Sequence, residues 1–356
     1  MPIVSSQGAR PQFSVDTCVA RDAWSHGAAL SRWEHEYERV RPGRFSGHVR
    51  TAWLGPIQLV HESIDHAFNY RGTPWRNSRV FFSYLPGCGE VFYDNRPVGT
   101  SALVTHRWDA VERVNASDRI NLVIAAIDEG FLREYLASVP GLEEAVRSPN
   151  PACYTADPAS ITGFQRTVYG ILDELVSSPQ TLASEMQRAG LQQRVLDAIV
   201  TVIANSSGSG GRLPAPSTRA YIVGRAIEFM EGHLGDPVSI RDVCAAIRVC
   251  PRTLSYAFAT VLGASPKSYL MATRLDRTFR DLADARVTSS IENVAARWGF
   301  SHMGRFAKYY RTAYGERPSD TYRRRGARTA MRRAERAIGL AARRPRPALA
   351  GPVADT

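Results

Sequence analysis

Apolar positions at helical spacing dominate the chain between residues 238 and 325, and the pattern occurs twice. Ile240, Val243 and Ala245 recur 51 positions later as Ile291, Val294 and Ala296. Leu254, Phe258, Gly263 and Pro266 recur 52 positions later as Phe306, Tyr310, Gly315 and Pro318, which places one inserted residue in the turn of the second copy. Such a repeat predicts two similar small modules. In the first, Ser239 and Asp242 have capping-box spacing and Ile240, Val243 and Ile247 form one stripe. A turn falls at residues 248–250, Pro251 suits a first helical position, and Leu254 and Phe258 lie one turn apart on an inner face. In the second, Ser290 caps, Ile291, Val294 and Trp298 face inward, Gly299 turns the chain, and Phe306 and Tyr310 anchor the next helix. Gly263 and Gly315 end the second helices. Each module reads as a helix-turn-helix whose second helix would enter a major groove. Residues 266–282 between them read as one helix, with Tyr269, Leu275, Phe279 and Leu282 inward.

The period changes upstream. Residues 20–40 read as an amphipathic helix through Trp24, Leu30, Trp33 and Tyr37, stopped by Pro42 and Gly43. From Phe45, the segments 48–54, 57–63, 80–85, 101–105 and 119–127 are short, β-branched or aromatic, and separated by Gly, Pro and Asn. Short strands without long helices between them predict an antiparallel barrel or jelly roll, over about 45–130. Helices are expected at 158–177 and 182–205. The first carries Ile161, Phe164, Val168, Ile171 and Leu175, a stripe suited to packing on the barrel or to pairing in a homodimer. The run NSSGSGGRLPAPS at 205–217 reads as a flexible linker and the clearest boundary in the chain.

The segments VSIRDVCAAIRVCPRTLSYAFATVLGASPKSYL and SIENVAARWGFSHMGRFAKYYRTAYGERPSDTYRR resemble the AraC/XylS family of transcription regulators. RWGFSHMGRFAKYYR looks most like the branch containing the regulator of ethanolamine-utilisation operons, and LSRWEHEYERVRPGRFSGHV resembles the opening of that regulator. The resemblance implies an α+β chain of two domains. Residues 1–204 would form a cupin-like effector-binding domain with a possible dimerisation role, and 218–325 an all-α domain with two helix-turn-helix motifs joined by a linker helix. It also implies double-stranded DNA, RNA polymerase and a small-molecule effector as partners, with ethanolamine and adenosylcobalamin as candidate effectors.

On the first recognition helix the outward positions are Arg252, Thr253, Ser255 and Tyr256, and the family pattern puts base contacts at Arg252, Ser255 and Tyr256. On the second, Met303, Gly304, Arg305 and Lys308 occupy the matching positions. Arg252 suits a bidentate pair with guanine, Ser255 and Tyr256 discriminate less, Arg305 is the best base-contact candidate on the second helix, and Lys308 suits phosphate. Cys250 stands where the family usually has a cap serine, and Gly304 offers no side chain. No effector-contacting residue is assigned, although Trp53, Phe82, Tyr84, Arg44 and His61 lie on or beside expected strands.

Charge sharpens this picture. The net charge is +11, yet residues 212–356 hold 26 Lys and Arg against 12 acids, whereas residues 1–211 hold 19 against 22. The basic excess sits with the repeated helices, as a polyanion partner requires. Residues 323–346 contain ten arginines and one acid, Glu335, and 326–356 read as a basic, disordered tail. Five cysteines without a C-x-x-C, and no apolar run of membrane length, predict a cytoplasmic protein with no disulfide framework, structural zinc or membrane span. No nucleophile, carboxylate pair or metal cluster points to an enzyme; His61, Glu62 and His66 would project to different faces. The competing function is a non-specific architectural DNA-binding protein, which would have no need of a barrel joined by a linker.

Overall fold

The computed structural model describes residues 13–41, 43–139, 152–206, 215, 217–284 and 286–325. The basic tail and most of the expected linker lie outside the described residues. Between residues 13 and 206 the chain builds two antiparallel sheets. The first runs, in spatial order, β1 (Phe13–Ala20), β3 (Gly47–Leu54), β4 (Ile57–Ile64), β11 (Ile120–Asp128), β6 (Ser78–Tyr84), β9 (Ala102–Arg107) and β12 (Ala152–Thr155). The second runs β2 (Glu34–Arg39), β5 (Phe68–Thr73), β10 (Glu112–Ala116), β7 (Val91–Tyr93) and β8 (Arg96–Pro97). The two ladders are separate, so the expected barrel is an open, cupin-like sandwich. Positive φ at Gly55, and at Asp94 with Asn95, closes the tight β3–β4 and β7–β8 hairpins.

Side-chain alternation divides the N-terminal core in two. On β11, Ile120, Leu122, Ile124 and Ala126 enter the space between the sheets, whereas Val123, Ala125 and Ile127 face outward under helices. Those helices are α2 (Glu129–Ala137), α3 (Pro158–Ser177) and α4 (Glu185–Ala204), the last preceded by a 3-10 turn, Pro179–Ala183. The whole α3 stripe, from Ile161 to Leu175, is buried against the first sheet and α4 of the same chain. Core packing therefore uses the surface that dimerisation would have needed.

The helix expected over 20–40 does not form. Asp22 caps a short helix α1 (Ala23–Ala29), and the chain reverses around Arg32, whose φ of 75° lies outside any right-handed helix. It then enters β2, so Trp24 and Tyr37 belong to different elements. Strands also extend beyond the expected 45–130, with β1 and β2 before it and β12 after it.

The C-terminal helices are α5 (Thr218–Gly232), α6 (Ile240–Ile247), α7 (Pro251–Leu262), α8 (Pro266–Ala283), α9 (Ile291–Arg297) and α10 (Met303–Tyr314). The expected capping box at Ser239 and Asp242 is complete, Pro251 and Pro266 open their helices, and Gly263 and Gly315 close theirs at φ 59° and 73°. Leu254, Phe258 and Val261 pack with α5 and with Tyr269 of α8 in one core; Phe306 and Tyr310 pack with Leu275 and Phe279 in the other. The connecting helix α8 thus serves both modules. Helix α5, which precedes the repeat, was not foreseen; its Val223, Ile227 and Met230 complete the first core.

The second sheet separates the two domains. Its inner face carries Tyr37, Phe68, Tyr70 and Val114, and its outer face meets α8. From that outer face, Glu36 and Glu38 accept hydrogen bonds from Arg277, Glu36 also from Arg280, and Glu38 also from the Tyr269 hydroxyl. Arg39 is 1% exposed and bonds Asp276 through Nη2 at 2.6 Å and Nε at 2.9 Å. Its backbone N–H donates to the other Asp276 oxygen, and Nη1 reaches the Ala313 and Gly43 carbonyls. Tyr314 donates to Asp276 at 2.6 Å and lies under the Arg39 guanidinium at 4.3 Å. Burial opposes the charge on Asp276, but Arg39 outweighs it and holds the carboxyl below its usual range.

Two consequences can be measured. Arg39→Ala strands Asp276 without its counter-charge and should cost about 3–5 kcal/mol in denaturant unfolding, whereas the joint change Arg39→Met with Asp276→Leu should recover most of that loss. Glu231, on α5, faces Glu38, Glu36, Arg277 and Arg71; burial first, and then the Glu38 charge, push it up to about 7. A raised carboxyl contributes stability at low pH that is lost as pH rises through the folded value. The thermal midpoint of the wild type should therefore fall, relative to Glu231→Gln, between about pH 4.5 and pH 7.

Candidate DNA interface and inter-sheet cavity

The first module follows from its termini. Ser239 fixes the start of α6, and Arg248, at φ 57°, turns the chain into α7. Cys250 occupies the cap of α7 without bonding a backbone N–H; its Sγ lies 3.1 Å from Thr253 Oγ1. That contact, at a fully exposed site, lowers the thiol's pKa. In the second module Ser290 caps α9, and Gly299, at φ 79°, makes the turn. A Cβ at Gly299 would stand 2.9 Å from the Arg274 guanidinium carbon, whose side chain in turn donates to the Leu234 and Asp236 carbonyls. The glycine is required both for its φ and for the close approach.

The eight sequence-predicted positions lie on two helices. Arg252, Thr253, Ser255 and Tyr256 are all exposed on α7. Thr253 is engaged by the cap thiol, and Tyr256 carries the Arg219 guanidinium 4.8 Å from its ring centre. On α10, Arg305 and Lys308 are exposed, Gly304 has nothing within 4 Å of a built Cβ, and Met303 is half-buried against the second core. Arg252, Arg305 and Lys308 form no ion pair among the described residues, and are the cations best placed for a polyanion. Arg311 and Arg317, which the sequence did not single out, share a surface groove with Met303 and Lys308.

A cavity of about 40 Å³ lies between the two sheets. Its walls include Tyr37, Tyr70, Phe82 and Tyr84, and one carboxylate from each sheet, Glu62 of β4 and Glu112 of β10. Of the residues considered from sequence, Phe82 and Tyr84 reach it. Trp53 instead lies against Trp75 in a tilted pair, ring centres 5.6 Å apart, and His61 points outward to Asn121 and Tyr169. Glu62, set aside in sequence together with His61 and His66, and Glu112, not marked there at all, both line the cavity; carboxylates on alternating strands normally signal a solvated face. Behind Glu62, His26 stands 2.6 Å away, in space that exists only because Gly47 lacks a Cβ, which would fall 2.2 Å from the ring. Burial would raise the Glu62 pKa, but hydrogen bonds from His26 and Tyr37 prevail and lower it. Among the described residues no group of three or more His, Cys, Asp or Glu side chains could hold a metal, and no helix is long and apolar enough to cross a membrane.

Replacing Arg252 or Arg305 by alanine should weaken binding to a cognate site by about 1–3 kcal/mol and relax preference at one base pair. Lys308→Ala should instead weaken all sequences alike and flatten the salt dependence. Titrations of matched and scrambled duplexes across salt concentrations check both.

A family model described as "Helix-turn-helix domain" matches residues 243–325. The "Probable thc operon regulatory protein" of Rhodococcus erythropolis is 34% identical over 103 residues, 29% of this chain and 31% of that protein. The "XylDLEGF operon transcriptional activator 3" of Pseudomonas putida is 35% identical over 102 residues, 28% of this chain and 31% of that protein. The chain thus spans about a third of the length of these curated relatives. A solved structure of "a probable AraC family transcriptional regulator" from Rhodopseudomonas palustris CGA009 is 30% identical, covers 30% of this chain and 97% of its own, and superposes with a TM-score of 0.28. The chain thus carries a helix-turn-helix domain over residues 243–325 and is similar over 28–29% of its length to these two regulators.

Proposed function

We propose that the protein is a sequence-specific transcription regulator, acting as an activator, whose C-terminal domain reads DNA under control of a small molecule held in the N-terminal cavity. The observation that carries this reading is the double role of the second sheet. One face of β2 presents Tyr37 to the cavity, and the other presents Glu36, Glu38 and the Arg39 main chain to α8, the helix on which both DNA-reading modules are built. A ligand that moves Tyr37 therefore acts on a strand bonded to the DNA-binding domain. Such a ligand shifts the balance of domain arrangements by its difference in affinity for them. A contact with RNA polymerase and a homodimer belong to the same proposal. Ethanolamine suits the cavity in size; adenosylcobalamin, a corrinoid many times larger, would have to act elsewhere on the protein.

A footprint of the full chain on DNA upstream of its own and neighbouring genes, at physiological salt, tests the reading. Protection of two major-groove segments about 34 Å apart on one face is expected. Diffuse protection that fades equally on scrambled DNA as salt rises would favour a non-specific architectural protein instead.

A further inference from the structure

We infer that β1 is a pairing edge for a second copy of this chain: two β1 strands join antiparallel about a two-fold axis at Thr17, so that the seven-stranded sheets of two molecules become one continuous sheet. The inference rests on the homodimer named in the regulator reading above and assigns it a surface.

The four edges of the two sheets differ in how they are closed to further pairing. An edge strand presents a row of unpaired N–H and C=O groups, and is normally blunted by shortness, proline or charge. β12 is four residues long, and β8 is two residues long and includes Pro97. β2 carries Glu34, Glu36, Glu38 and Arg39, and the last three are bonded to α8. β1 has none of these devices. It runs for eight residues without proline, Lys or Arg, and Asp16 is its single charge. All of it is in register with β3, from Phe13 opposite Leu54 to Ala20 opposite Gly47. Among the described residues its main chain forms no hydrogen bond outside that ladder, so the alternate N–H and C=O groups that point away from β3 are open to a further strand.

Alternation along β1 makes the strand complementary to itself in one register. Phe13 and Val15 pack against the helix-covered core and Ala20 against the inter-sheet core, so Phe13, Val15, Thr17 and Val19 share one face and Ser14, Asp16, Cys18 and Ala20 the other. A two-fold axis normal to the sheet keeps each face continuous only when it passes at a residue. At Asp16 it would set two carboxylates directly opposite each other, which destabilises the pair. At Cys18 it would carry Val15 past the end of the second strand. At Thr17 it sets Val15 opposite Val19 of the second copy, and Asp16 opposite uncharged Cys18. Val19, 61% exposed in the single chain, thereby gains an apolar neighbour. Residues 14–20 of the two strands then overlap, which supplies roughly six to eight ladder hydrogen bonds. The α3 stripe is used within its own chain, so a second copy must dock elsewhere, and β1 offers both open main-chain groups and matched side chains.

Two measurements on the full-length protein test this. Sedimentation over a concentration series should show a monomer–dimer equilibrium, and Val19→Lys, a change at an exposed position, should weaken the dimer at least tenfold without lowering the thermal midpoint. Thr17→Cys in a background of Cys18→Ser and Cys250→Ser should give a disulfide-linked dimer under mild oxidation, because residues directly opposite in an antiparallel pair stand within the roughly 4.4–6.8 Å Cα separation that a disulfide spans. The Cys250→Ser protein, which keeps Cys18, should not crosslink. A dimer that Val19→Lys leaves intact, a crosslink through Cys18 in place of position 17, or a monomer throughout the series, as an edge covered by the chain's own residues 1–12 would give, overturns the inference. The regulator reading fails separately: a β1-paired dimer that gives only diffuse, sequence-independent protection keeps this surface and removes the reading, whereas specific protection by a protein that stays monomeric keeps the reading and removes the surface.

Discussion

The relation between the two domains depends on one buried ion pair. Arg39 and Asp276 are 237 residues apart in sequence and 2.6 Å apart in space, and each is almost fully removed from water. Neither charge is tolerable alone at that depth, and the surrounding bonds to Ala313, Gly43 and Tyr314 satisfy what the pair leaves over. A pair of this kind adds little net stability over an apolar contact of the same shape, but it penalises any other arrangement. The register of β2 against α8 is set in this way, and with it the placement of α7 and α10 relative to the sandwich.

Alternation then converts a structural wall into a functional one. Because successive residues of a strand face opposite sides, a five-stranded sheet between two domains must present one set of side chains to each. His35 and Tyr37 lie among the aromatic residues of the sandwich, while Glu36 and Glu38 hold Arg277, Arg280 and Tyr269. On β5, Phe68 and Tyr70 face inward while Asn69 bonds Tyr269. On β7, Phe92 joins the core of the first helix-turn-helix module, while Val91 and Tyr93 join that of the sandwich. Few structural steps separate a cavity ligand from α8, and each is a packed or hydrogen-bonded contact.

Local signals made much of this legible in the sequence. Helix 158–177 was read to the residue, and both helix-turn-helix units were delimited by their caps, prolines and left-handed glycines. Of the first sheet, the edge strands β1 and β12 gave no clear signal, but β3, β4, β11, β6 and β9 stood out as short β-branched or aromatic runs. The second sheet did not, because its outer face is polar to match a basic helix far along the chain. The run EHEYER at 34–39 alternates as a strand should, yet Trp33 and Tyr37 fell at helical spacing with Trp24 and Leu30, and the helix reading prevailed. Arg39, Asp276 and Glu112 were invisible for a related reason: each takes its meaning from a partner on a remote strand or helix, and nothing near it in sequence marks that partner.

Strand β2 and helix α8 form one unit across the two domains. Hydrogen exchange followed by mass spectrometry on the wild type and on Asp276→Ala tests it directly, since the Arg39 amide donates to Asp276. The account predicts that β2 and α8 lose protection together while β4, β11 and the buried turns of α3 keep theirs. Loss confined to α8, with β2 as protected as before, would contradict it.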